Sequence, residues 1–277
     1  MTVCIAALAK TARAIVTVSD TMVGCDEYTN DLAALKIRPL ANGWIVMYCG
    51  APTTFALMAA DLADWLDEND QPTDYHSMMQ AAKYAYALEV DRLAARILLP
   101  LNFTRDEFKR DGLKQLGQRL HSQVANEIHS IKVDTSLMLS GMDPTAVVSE
   151  PHLISMENGV CWLHDDVGFY AIGTGSWRAL ASLQSNKNFV QSKRLGEVCF
   201  RMQEAKFAAE DSPFVGPLQT ITQVLHFDGK LSVNFAAAQS RTYFEAEKAR
   251  PLPDDLLDAV ETSLAGFWTW NNTHDSE

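Results

Sequence analysis

The sequence predicts an α+β fold, with antiparallel sheets and helices packed outside them, in a single domain over residues 1–277. Three observations carry this. The chain opens with short β-rich stretches joined by tight turns. A long helical block follows, over about 53–130, and then strands resume before a second set of helices. Strands and helices therefore come in runs, without the one-for-one alternation that a parallel sheet of βαβ units requires.

The opening "TVCIAALA" and "RAIVTVSD" read as a hairpin across "KTA", and "LKIRPL" with "GWIVMYCG" as a second hairpin across "ANG". In "TTFALMAADLADWLDEND", Phe55, Met58, Leu62 and Leu66 fall on one helical face, with Thr53 or Thr54 placed to cap it. "DYHSMMQAAKYAYALEVDRLAARIL" starts at an aspartate cap and is broken at Pro100. A third helix is predicted from about Asp111 to His129. Strands follow in "TSLMLSGM", "HLISMEN", "GVCWLHD" and "GFYAIGTG", then helices in "SWRALASLQ" and "SKRLGEVCFRMQEAKFAAED". The end reads as a helical or irregular "PLQTITQVLHF", a strand near "LSVNFA" and a helix over about 253–267.

Composition excludes several classes. A net charge of −12 and no basic cluster argue against nucleic acid. No apolar run reaches the ~18 residues that span a bilayer, and the N-terminus has no secretory pattern. Five cysteines with no CxxC pair predict reduced thiols and a cytoplasmic protein, with Cys49 a small core residue. His121 and His129 lack a carboxylate partner, and His164-Asp165-Asp166 reads as a charged turn, so no metal is expected. No cofactor motif is present, and a GxxxxGK loop is absent.

The chemistry concentrates near the start. Thr2 stands directly behind the initiator methionine, Asp20 ends the second β stretch, Lys36 lies in the third, and Gly50 ends the fourth before a helix. A threonine hydroxyl needs a base, and a free α-amine with a reference pKa of about 7.7–8.0 can serve if the threonine is N-terminal. A lysine close by lowers the pKa of both groups, and a carboxylate keeps that lysine charged and oriented. A glycine N–H at a strand end can stabilise an oxyanion. Each residue also has a plainer reading: strand start, turn former, solvated lysine, strand terminator.

Together, in this order, the stretches "TVCIAALA", "VTVSDT", "LKI" and "YCGAP" resemble proteasome β-type subunits and their bacterial ring-protease relatives, the N-terminal-nucleophile hydrolases. "GFYAIGTGSWRALASL" is similar to a later strand, turn and helix of that family, and the element order fits over most of 2–240. The resemblance implies a four-layer αββα sandwich, two antiparallel sheets between helical layers. It implies Thr2 as nucleophile through its own amine, Lys36 as the tuning charge, Asp20 as its orienter and Gly50 as oxyanion donor. Thr174 falls where the family carries a serine near the terminal amine, and Asp211, in "EDSPFVGP", is matched to a late family aspartate. The match departs there, because Gly216 follows one residue late and Phe214 or Val215 fills the place of a serine.

The helical block, with an insertion at "LLPLNFTRDEF", and the C-terminal helix are longer than in ordinary β subunits. No propeptide is expected before Thr2, so methionine removal alone would activate it. The resemblance also implies a homo-oligomer, as a ring or open ring, acting on peptides or unfolded protein, with any ATP-driven unfoldase a separate protein. Alternatives are a small-amide hydrolase or transpeptidase at the same site, or a non-catalytic scaffold subunit.

Overall fold

A computed structural model describes residues 2–25, 28–30, 35–40, 43–142, 150–212, 215–227, 231–234, 237–246 and 254–265. Strands β1 (Val3–Ala9) and β2 (Ala14–Ser19) form the first hairpin, with Cys4 opposite Ser19. A short pair, β3 (Val23–Cys25) and β4 (Tyr28–Asn30), intervenes before β5 (Ile37–Pro39) and β6 (Trp44–Cys49), which pair as expected. Three helices follow: α1 (Pro52–Glu68), α2 (Tyr75–Leu98) and α3 (Arg105–His129). Next come β7 (Ser136–Met142), β8 (Pro151–Glu157), β9 (Val160–Leu163) and β10 (Phe169–Gly173). The remainder is α4 (Ser176–Ser185), α5 (Leu195–Ala209), β11 (Ile221–His226), β12 (Leu231–Asn234), α6 (Ala238–Ala246) and α7 (Asp254–Ala265).

Two five-stranded antiparallel sheets result, ordered β10-β1-β2-β11-β12 and β5-β6-β7-β8-β9. Side-chain alternation along the strands assigns the layers. In β1, Val3, Ile5 and Ala7 pack with Ala179, Met202 and Ala205 of α4 and α5, while Cys4, Ala6 and Leu8 face the other sheet. In β6, Val46 and Tyr48 meet α1 and α2, whereas Ile45, Met47 and Cys49 join the inter-sheet core. Central strands such as β1 and β6 thus bury both faces, which gives the helix–sheet–sheet–helix sandwich.

Several elements differ from the sequence reading. "PLQTITQVLHF" contains β11, a central strand between β2 and β12, where a helical or irregular segment was expected. α3 begins at Arg105, six residues early, under a capping box of Thr104 and Glu107. Its dihedrals break at Gly117, so two helices meet there. α1 has Pro52 in its first turn and Ala51 as N-cap without a side-chain cap; Thr53 and Thr54 lie inside the helix. Asp74 caps α2 as expected, accepting from the Ser77 N–H at 3.0 Å.

Candidate active site

Thr2 stands just ahead of β1, and the segments that follow β2, β10 and α5 gather around it. The Thr2 hydroxyl donates to Oδ1 of Asp20, the residue that follows β2. The same oxygen accepts the Val3 N–H at 3.2 Å, while Oδ2 accepts the N–H groups of Met22 at 3.3 Å and Gly216 at 3.0 Å. Asp20 is therefore saturated with donors from both ends of its own hairpin and from the segment after α5. Lys36 is 1 % exposed, and its Nζ donates to the Met22 carbonyl at 2.5 Å while lying over the Tyr48 ring. Lys36 stands just ahead of β5 and so escapes strand alternation: Leu35 is 57 % exposed, but Ile37 is buried.

Asp20 is fully enclosed, and burial pushes its carboxyl up; Lys36, the Gly216 and Val3 N–H groups and Lys206 pull it back. Burial likewise pushes the Tyr48 phenol up to about 12. The Cys49 thiol is raised well above its ordinary value by burial, with a contribution from Cys4. A raised thiol is a poor nucleophile, which fits Cys49 as a packing residue.

Two glycines permit the convergence. Gly173 has φ +98°, and a Cβ there would stand 2.2 Å from the Thr2 carbonyl oxygen and 2.7 Å from Cys49 Sγ. The turn that carries Thr174 is thereby pressed against Thr2 and the end of β6, and Thr174 itself is half-buried. Gly50 has φ +124°, and a Cβ would meet the Asp134 carbonyl at 2.0 Å, so only glycine lets β6 pass into α1 here.

The fold thus brings Thr2, Asp20, Lys36, Gly50 and the Thr174 turn to one end of the two sheets. Asp211 is the exception. Its side chain is 76 % exposed and bound to Arg178 at 3.0 Å, because Asp211 sits in the turn beyond α5 and points to solvent. The contact to Asp20 comes from Gly216 instead. Val215 is buried against Gly175, and Phe214 lies outside the described residues. Among the described residues, no group of three or more His, Cys, Asp or Glu side chains could hold a metal ion, and no helix is long and apolar enough to cross a membrane.

No protein-family model matches the chain, and no curated protein matches it by sequence. Solved structures do match. The chain is similar to an Anbu (Gly-1) mutant from Hyphomicrobium sp. strain MC1, with TM-score 0.61 and 12 % identity over 98 % of this chain and 100 % of that one. It also matches HslV from Trypanosoma brucei, at TM-score 0.49 and 14 % identity over 81 % of this chain and 99 % of that one. This likeness is one of fold: the chain shares the α+β sandwich of the Anbu structure. Within that fold, Lys206 was missed by the sequence reading. Its signal was present: a lysine in register with Met202 and Ala209 on the apolar face of α5.

Proposed function

We propose that this chain is a threonine-type peptidase whose nucleophile is Thr2 after removal of Met1. The observation that carries this reading is the hydroxyl of Thr2 bonded to a buried, donor-saturated Asp20 beside a buried Lys36. Thr2 Oγ attacks the substrate carbonyl carbon while the α-amine takes its proton. The Gly50 N–H bonds the oxyanion. Collapse breaks the C–N bond, the α-ammonium returns the proton to the leaving amine, and an ester remains on Thr2. Water, deprotonated by the same amine, then releases the acid. Lys36 lowers the pKa of hydroxyl and amine; Asp20 orients Thr2 directly and reaches the lysine by charge and through Met22, whose N–H it accepts and whose carbonyl receives the lysine Nζ. Thr174 is the hydroxyl neighbour of the free amine.

The substrate class is peptide or unfolded polypeptide, and a small amide or transfer to an amine acceptor uses the same steps. The protein works in a cytoplasmic homo-oligomer that confines the site, with any unfoldase a separate chain. One observation favours a non-catalytic scaffold instead: Thr2 is 0 % exposed. Intact mass with and without a threonine-directed epoxyketone discriminates the two. Loss of Met1 and one adduct, absent from Thr2→Ala, is the expected result; retained Met1 with no adduct would leave only the scaffold.

A further inference from the structure

Gly216 meets Asp20 through its N–H, and its carbonyl is held as firmly from the other side. Lys206 of α5 is 0 % exposed and donates from Nζ to the Gly216 carbonyl at 2.6 Å and to Glu210 Oε1 at 2.5 Å. Arg241 of α6 donates to Glu210 at 2.6 and 2.8 Å and to the Pro217 carbonyl at 3.0 Å. Two cations thus grip two successive carbonyls, and one carboxylate holds both cations. The segment also packs inward: a Cβ on Gly175 would meet Val215 at 2.8 Å, beside the turn that touches Thr2.

A buried ammonium costs free energy, and an apolar side chain of similar volume often does as well for stability. Lys206 does not end on a single surface partner; it ends on the backbone that bonds the site carboxylate. We propose that Lys206 is a positioning residue, which with Glu210 and Arg241 fixes the Gly216–Pro217 segment so that the Gly216 N–H holds Asp20 Oδ2 and, through Asp20, the Thr2 hydroxyl. Its catalytic meaning rests on the peptidase reading; its action on Asp20 does not. The cation and the Gly216 donor both favour the carboxylate form of Asp20. Removing the cation and loosening the donor therefore makes Asp20 harder to ionise.

The test is an infrared titration of protein carrying carboxyl-13C aspartate, with the Asp20 band assigned by its loss in Asp20→Asn. In Lys206→Met the Asp20 midpoint is expected to rise by about one unit. Arg241→Met, at a partly exposed side chain, shifts it the same way by less and carries the test if Lys206→Met does not fold. Where the parent takes the epoxyketone, the labelling rate of Lys206→Met below its new midpoint falls about tenfold and recovers as pH is raised. An unmoved midpoint in the folded variants overturns the proposal. A shifted midpoint in a protein whose parent takes no label sinks the peptidase reading alone.

Discussion

Asp20 is where the residue-scale argument is sharpest. Each of its oxygens accepts two donors, so no conservative replacement fits. In Asp20→Asn the amide NH2 must face two donors, which leaves buried groups unpaired at about 1–3 kcal/mol each. Labelling of Thr2 by an epoxyketone is expected to fall by about 10²-fold or more in this variant. On the acid side the parent's labelling rate is expected to fall first as the α-amine takes up a proton, about its reference value of 7.7–8.0, and to fall a second time as Asp20 is protonated, at a pH above the ordinary aspartate value of 3.8 because burial raises it. A pH profile of the labelling rate checks both, and a second fall that comes only at or below 3.8 contradicts the assignment. The linkage sign is opposite for stability. The native state binds more protons than the unfolded chain between the two pKa values, so this ionisation weakens folding as pH rises. The convergence of Thr2, Asp20, Lys36 and Gly50 was legible in the sequence because each sits at a strand end or beside a turn whose position the β pattern fixes. Asp211 was misplaced because sequence spacing cannot tell which residue of a turn points inward.

Elements show the same division between local and tertiary signals. The capping box Thr104–Glu107 is a local pattern, and it marks the start of α3 six residues ahead of the point where apolar periodicity places it. Pro52 is likewise a local mark of the first turn of α1. β11 carries no such mark, since both of its faces are buried and its Thr, Ile and Leu residues suit either state. Pairing with β2 and β12 decides it, with Thr222 opposite Val18 and Asn234. The turn from β9 to β10 gives an element-scale prediction. His164 Nε2 bonds Ser155 Oγ at 2.8 Å and stacks on Tyr170, while Asp165 holds His152 at 2.6 Å and the Leu153 N–H at 2.8 Å. Burial lowers the His164 pKa below 6.5, with Asp165 opposing. The unfolded chain therefore takes up a proton first as pH falls. The contribution of His164 is complete above 6.5 and is lost as pH drops toward its lowered folded value. Urea unfolding across this range is expected to show falling stability in the parent and a flatter dependence in His164→Gln. An equally steep dependence in the variant would assign the effect elsewhere.

At the scale of the whole molecule, the α+β class followed from the order of element runs, whereas the stacking of two sheets followed only from the resemblance, and the structure bears it out. Continuous apolar strands such as β1 and β2 announce burial on both faces without saying what covers each one. The covering is visible only once β1 is seen to divide its side chains between α5 and the opposite sheet. The proposed homo-oligomer requires a further surface, and the sheet edges are where one would form. β9 is the outer strand of its sheet, and in its four residues Val160, Trp162 and Leu163 are 50 %, 46 % and 42 % exposed. An edge strand without a charge is an aggregation hazard in a monomer, and a second copy of the chain would remove that hazard. Sedimentation of the purified protein is expected to give a homo-oligomer, and Trp162→Lys with Val160→Lys is expected to shift it towards monomer while the circular dichroism stays unchanged. Since confinement is separate from the chemistry of Thr2, the dissociated variant should still lose Met1. A parent that sediments as a monomer would remove the confined-peptidase reading, and an oligomer untouched by the two lysines would move the contact away from β9.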